Sequence, residues 1–164
     1  MNLSDLNTLG REAFVDALGW VFEDSPWVAE RVWPGRPFVS VERLHDTMAA
    51  VVFAATADRQ LALLRAHPDL GARLKMSAAS SGEQAGAGLD QLSPDVFNRL
   101  QTLTAEYRQK FGFPFLFAVK GSTPAQILAA LEARVSRERA VEFEAALRQV
   151  AQIAWFRLDS MITR

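Results

Sequence analysis

His67, the first residue of His67-Pro68-Asp69-Leu70-Gly71, is a candidate for acid–base chemistry. It follows the apolar helical stretch around Leu61 to Leu64, and a proline disfavours the α conformation in the residue before it. His67 is therefore expected at a helix end, its ring aimed by a stiff turn. The negative end of the helix dipole favours an imidazolium there, and proton transfer needs a group held this firmly. The same position also suits a histidine that only caps the last helical carbonyls.

Two further places carry suitable groups. In Ser80-Ser81-Gly82-Glu83-Gln84, Ser80 and Glu83 have the spacing of a capping box, which by itself explains both residues. A helix N-terminus with free amides is also an anion site, and Gly82 allows close approach. Glu83 and Gln84 add an acceptor and a two-way amide, a set suited to an amide-rich heterocycle. Arg157 is the third candidate. At about 100° per residue it falls about 20° from Val150 and beside Ala146 on the last helix, at the flank of the apolar stripe. A cation there either meets an anion or lays its stem along the core edge with its head in water.

These groups need a scaffold, and its punctuation is helical. Ser25-Pro26, Ser93-Pro94 and Thr123-Pro124 each put a capping hydroxyl before a proline suited to the first helical position. Ser40 and Ser136 are read as further N-caps, and Gly112 and Gly121 as helix or turn ends. Between them the apolar spacing follows a helix: Leu44, Met48, Val51 and Ala55; then Phe97, Leu100, Thr104, Tyr107 and Phe111; then Phe143, Leu147, Val150, Ala154, Leu158 and Met161. Met76 to Gly88 reads as a loop entering a short helix. Phe113 to Val119 (FPFLFAV) is a continuous apolar run containing Pro114, so it is expected to be extended and buried. Its backbone groups need partners, and such groups either line a ligand pocket or cross an ordinary core. The expected fold is all-α: one domain over residues 1–164, a compact bundle of about seven to nine helices with one buried extended segment.

Composition narrows the chemistry. The 164 residues are 49% hydrophobic and 10% aromatic, which fits a packed domain. Lys and Arg total 18 against 19 Asp and Glu, so no basic surplus points to nucleic acid. No apolar run approaches the roughly 18 residues of a membrane span, and no membrane partner is expected. The absence of cysteine excludes thiolate chemistry, and two histidines, His45 and His67, make a poor basis for a metal centre. No metal is expected. His45 lies off its helix's apolar face and is assigned a solvated or packing role, and the charged run from Glu132 to Glu144 a solvated one. Trp155 and Phe156 lie off the last stripe, which either a dimer interface or a second helical layer explains. The amino-terminal residues lack a signal-peptide pattern, and the composition suits the cytoplasm.

Five pieces, in this order, carry a resemblance: Arg36-Pro37-Phe38, His67-Pro68-Asp69-Leu70-Gly71, Ser80 through Leu89, Tyr107 through Gly121, and Trp155-Phe156-Arg157. Together they resemble the 2-oxo-4-hydroxy-4-carboxy-5-ureidoimidazoline (OHCU) decarboxylase family, which completes the conversion of urate to (S)-allantoin. The resemblance implies an all-α fold, no metal or organic cofactor, a small-molecule substrate and a homodimer. It implies that His67 is the catalytic acid–base residue and that Pro68 lies against the substrate. Ser80, Ser81, Gly82, Glu83 and Gln84 match one substrate-binding segment. Phe115, Leu116, Phe117, Ala118 and Val119 match the other. Arg157 matches the pocket arginine, and Glu83 is assigned both binding and catalysis. Many eukaryotic members end in a peroxisomal tripeptide, whereas this chain ends Ile162-Thr163-Arg164, so a bacterial, cytoplasmic enzyme is expected.

Overall fold

The computed structural model describes residues 1–70 and 92–164. Among these the chain is all-α, with eight α-helices and one 3-10 turn, and the only β pairing is an isolated bridge between Asn2 and Thr163. The helices are α1 (Leu3–Thr8), α2 (Arg11–Leu18), α3 (Pro26–Val32), α4 (Val41–Phe53), α5 (Ala57–Ala66), α6 (Pro94–Phe111), α7 (Pro124–Val135) and α8 (Arg139–Met161); the 3-10 turn is Trp33–Gly35. No single helix among the described residues is long and apolar enough to cross a membrane.

Local chemistry sets most of the boundaries. Ser40, Ser93 and Thr123 accept hydrogen bonds from the amides of Arg43, Val96 and Gln126, satisfying donors that the first helical turn leaves over. Thr123 and Gln126 form a reciprocal capping box. Gly112 ends α6 with φ 78°, a left-handed conformation that glycine adopts without strain, and its N–H donates to the Arg108 carbonyl. Two expected caps differ. Ser25 precedes Pro26, but its hydroxyl donates to the Glu23 carbonyl. Ser136 lies past the end of α7, its hydroxyl donating to the Ala133 carbonyl at 3.1 Å, and α8 begins only at Arg139. A hydroxyl that bonds backwards to a free carbonyl closes one helix rather than opening the next.

Packing divides the chain into two compact units. The first comprises residues 1–66 and 150–164. Its core includes Leu6, Phe14, Leu18, Val28, Leu44, Met48, Leu64, Ala154 and Leu158, each essentially without exposed surface. The buried face of α4 is Val41, Leu44, Met48 and Val52 rather than the expected set ending in Val51 and Ala55. Val51 is half-buried, and Ala55 lies beyond the end of the helix. Arg36 ties this unit's turns together: Nη1 donates to the Asn7 and Leu9 carbonyls, Nε donates to the Trp33 carbonyl, and the guanidinium lies over the Trp33 ring. The Arg36-Pro37-Phe38 piece is thus scaffold, with Phe38 stacked on Phe14. His45 also packs, its Nε2–H donating to the Ala151 carbonyl at 2.8 Å and its ring edge-on to Trp155. Trp155 therefore meets a second helical layer.

The second unit comprises residues 67–149. Its described core is an aromatic cluster: the Tyr107 ring lies 4.5 Å from Phe111, 5.3 Å from Phe115 and 6.0 Å from Phe113. Tilted and edge-on ring contacts of this kind contribute about 0.5–1.5 kcal/mol each beyond the area they bury. Leu100, Leu103, Ile127 and Leu131 complete it, while Phe97 and Phe143, both placed on apolar stripes, are half-buried.

Candidate active site

His67 follows the last residue of α5 and is buried, with 5% of its surface exposed. The helix stops where Pro68 requires it to. Asp69 and Leu70 anchor that turn: Leu70 is buried, and Asp69 accepts from Arg108 Nη1 of α6 at 3.4 Å, while Pro68 is exposed. A histidine held between a helix end and an anchored turn has the fixed placement that proton transfer needs.

Residues 114–119 run without turn or bend between Gly112 and the turn at Gly121, as the apolar run with Pro114 predicts. Phe113, Phe115, Leu116 and Val119 are buried, and Phe117 and Ala118 are half-buried. The segment has no ladder of its own, so side chains supply partners. Arg134 Nη1 donates to the Leu116 carbonyl at 2.9 Å, and the Ala118 N–H donates to Gln149 Oε1 at 2.9 Å.

Arg134 belongs to a polar cluster that sequence reasoning missed. Its Nε donates to Glu142 Oε1 at 2.7 Å, and its guanidinium lies 4.6 Å above the Phe115 ring. The Tyr107 hydroxyl donates to the same Glu142 oxygen at 2.9 Å. Arg134 and Glu142 are 6% and 0% exposed, so the assignment of the Glu132–Glu144 run to a solvated face is corrected for these two residues. A signal was available. Arg134 follows Ile127 by seven residues and Leu131 by three, and Glu142 precedes Ala146 by four, so both lie on inward stripes. Burial pushes the Tyr107 phenol well above its usual range; the Arg134 charge opposes that shift, and the Glu142 carboxylate adds to it.

Arg157 lies in the first unit, 25% exposed, and has a protein carboxylate partner. Its Nη2 donates to Glu23 Oε2 at 2.6 Å, and Nη1 donates to the carbonyls of Trp20 and Val21 at 2.9 and 3.2 Å. The guanidinium sits 5.5 Å from the Trp20 ring, itself 48% exposed. The planar fork is thus held from one side by residues 20–23. His67 and Phe115–Val119 belong to one unit and Arg157 to the other. Ser80, Ser81, Gly82, Glu83 and Gln84 lie outside the described residues, among which no group of three or more His, Asp or Glu side chains is placed to hold a metal.

Comparison with known proteins gives this arrangement a family. A family model described as OHCU decarboxylase matches residues 7–159. A 2-oxo-4-hydroxy-4-carboxy-5-ureidoimidazoline decarboxylase of Halalkalicoccus jeotgali is 48% identical over 161 residues, covering 98% of this chain and 92% of that protein. A uric acid degradation bifunctional protein of Bacillus subtilis is 43% identical over 98% of this chain, which spans 33% of that longer protein. Among solved structures, (S)-allantoin synthase matches with a TM-score of 0.84 at 32% identity over 99% of this chain, which spans 54% of its length. An OHCU decarboxylase crystallised in the presence of (S)-allantoin shares the fold, with a TM-score of 0.68 at 21% identity over 88% of this chain and 96% of that one. A match that runs through both units, from α1 to the end of α8, makes this chain a member of the OHCU decarboxylase family.

Proposed function

We propose that this chain decarboxylates 2-oxo-4-hydroxy-4-carboxy-5-ureidoimidazoline to (S)-allantoin and CO2, with His67 as its acid–base residue. The observation that carries the proposal is 48% identity, over nearly the full length of both chains, to a relative bearing that name. The buried, turn-anchored His67 supports its chemical part.

The substrate supplies its own electron sink. When the C–C bond to the carboxylate breaks, CO2 leaves and the electron pair moves into the adjacent ring C=N, whose nitrogen takes up a proton from solvent. The hydroxyl on the reacting carbon becomes a carbonyl as its proton leaves, and a proton is delivered to the neighbouring ureido-bearing carbon. The protein is left with positioning, charge stabilisation and one controlled proton transfer, so no cofactor is required. His67 takes the hydroxyl proton or delivers one to the ring carbon, on one face only, which sets the (S) configuration. Glu83 and Gln84, with Ser80, Ser81 and Gly82, hold ring and ureido N–H groups, and Pro68 lies against the ring. Arg157 and backbone groups of Phe115–Val119 hold anionic and carbonyl oxygens. The working form is taken to be a cytoplasmic homodimer, which light scattering of the purified chain tests for assembly.

The test is to generate the unstable substrate from urate in situ, add the protein, and follow CO2 and the circular dichroism of allantoin. Accelerated CO2 release with accumulation of the (S) enantiomer is expected, and EDTA should leave the rate unchanged. Racemic allantoin at the spontaneous rate would overturn the proposal.

A further inference from the structure

Leu116 and Ala118 stand two positions apart on a stretch without turn or bend. Along an extended chain the N–H and C=O of one residue point to the same edge, and those of the next residue to the other. The Leu116 carbonyl and the Ala118 amide therefore share an edge, and on it both are engaged: the carbonyl by Arg134 of α7 and the amide by Gln149 of α8. Arg134 is fixed in turn by Glu142 and by the Phe115 ring. Two different helices thus hold that edge at two points, through one carbonyl and one amide.

We propose that Gln149 and Arg134 are positioning residues, a two-point clamp that fixes residues 115–119 by one edge so that the other edge faces the substrate. That other edge carries the Phe117 and Val119 amides with the Phe117 carbonyl between them, a donor–acceptor–donor row that suits the oxygens and N–H groups of a ureido-imidazoline. This inference rests on the proposed function, which assigns 115–119 to substrate binding. The clamp acts through the backbone, so its loss blurs a binding surface without removing a reacting group.

Gln149 is half-buried and can be changed without leaving a buried charge. Gln149→Leu removes the acceptor for the Ala118 N–H, whereas Gln149→Glu keeps an oxygen in its place. Steady-state kinetics on substrate generated in situ should show KM raised about tenfold in Gln149→Leu with kcat within about twofold of the parent, the pattern of lost uniform binding. Gln149→Glu should restore KM to within about threefold of the parent, and amide hydrogen exchange at Ala118 should quicken only in the leucine variant. If Gln149→Leu fails to fold, Gln149→Met removes the same acceptor at the same chain length. An unchanged KM in a folded Gln149→Leu or Gln149→Met protein would overturn the clamp, as would a Gln149→Glu variant as impaired as the leucine one. Parent protein inactive on this substrate would overturn the proposed function and the clamp with it; active parent with unaffected variants would overturn the clamp alone.

Discussion

Two arginines in this chain each meet a glutamate at nearly the same distance, 2.7 Å for Arg134–Glu142 and 2.6 Å for Arg157–Glu23, yet their surroundings differ. The side chains of the first pair are 7% and 0% exposed and are bonded to Tyr107 and to the Leu116 carbonyl. The second is 25% and 29% exposed and held from one side by a turn. Distance alone therefore says little about what an ion pair does. A fully desolvated pair locks structure, because losing one partner strands the other's charge in the core. A pair still open to water contributes little to stability, and its cation remains able to exchange one anion for another.

The largest expected effect follows from the buried pair. Arg134→Ala should lower stability by about 3–5 kcal/mol, measured by denaturant unfolding, because Glu142 is left in the core without its main counter-charge. A loss below about 1 kcal/mol would erase the contrast between the two pairs. The double replacement Arg134→Met with Glu142→Leu should recover much of the loss, since neither charge then remains to be stranded.

Arg157→Ala should cost at most about 1 kcal/mol, the range of pairs open to solvent, while lowering turnover much more. Arg157→Lys should still impair activity, because lysine keeps the charge but loses the planar fork. A large stability loss with unchanged kinetics in the folded fraction would make Arg157 a second structural arginine.

The smallest effect concerns Tyr107, the only tyrosine in the chain. Tyr107→Phe removes one donor to Glu142 and should cost about 1 kcal/mol. Because its phenol is raised in the folded state, the stability it contributes is present below the ordinary tyrosine pKa of about 10 and is lost as pH climbs above it, where the unfolded chain gives up its proton first. Tyrosinate absorbance should therefore appear only as the chain unfolds, and Tyr107→Phe should flatten the alkaline slope. Ionisation of Tyr107 near pH 10 in the folded protein would contradict its burial.

The two arginines also mark how far the sequence could be read. Proline and hydroxyl pairs locate helix starts at Ser93-Pro94 and Thr123-Pro124 because caps are local chemistry. Pro114 within an unbroken apolar run is enough to foresee the non-helical buried segment. Arg157 stood out because its helix carries a long apolar stripe against which one charge is conspicuous. Arg134 escaped because it sits among Glu132, Arg137, Glu138 and Arg139, and composition there suggests water. Only its register with Ile127 and Leu131 turns it inward, and its partner lies across a helix corner that spacing within one helix cannot reveal. The same limit applies to Gln149, whose partner amide is 31 residues away.

His67 carries the chemistry proposed for this chain, and it is tested most directly by following (S)-allantoin formation by circular dichroism for the parent and for His67→Asn at matched folded fraction. Asparagine keeps a polar side chain at the helix end but cannot shuttle a proton near neutral pH. The rate above the spontaneous background should fall by about 10²–10⁴-fold, with a far-ultraviolet spectrum and melting temperature close to the parent's. A folded His67→Asn protein that produces (S)-allantoin at the parent rate would contradict the assignment.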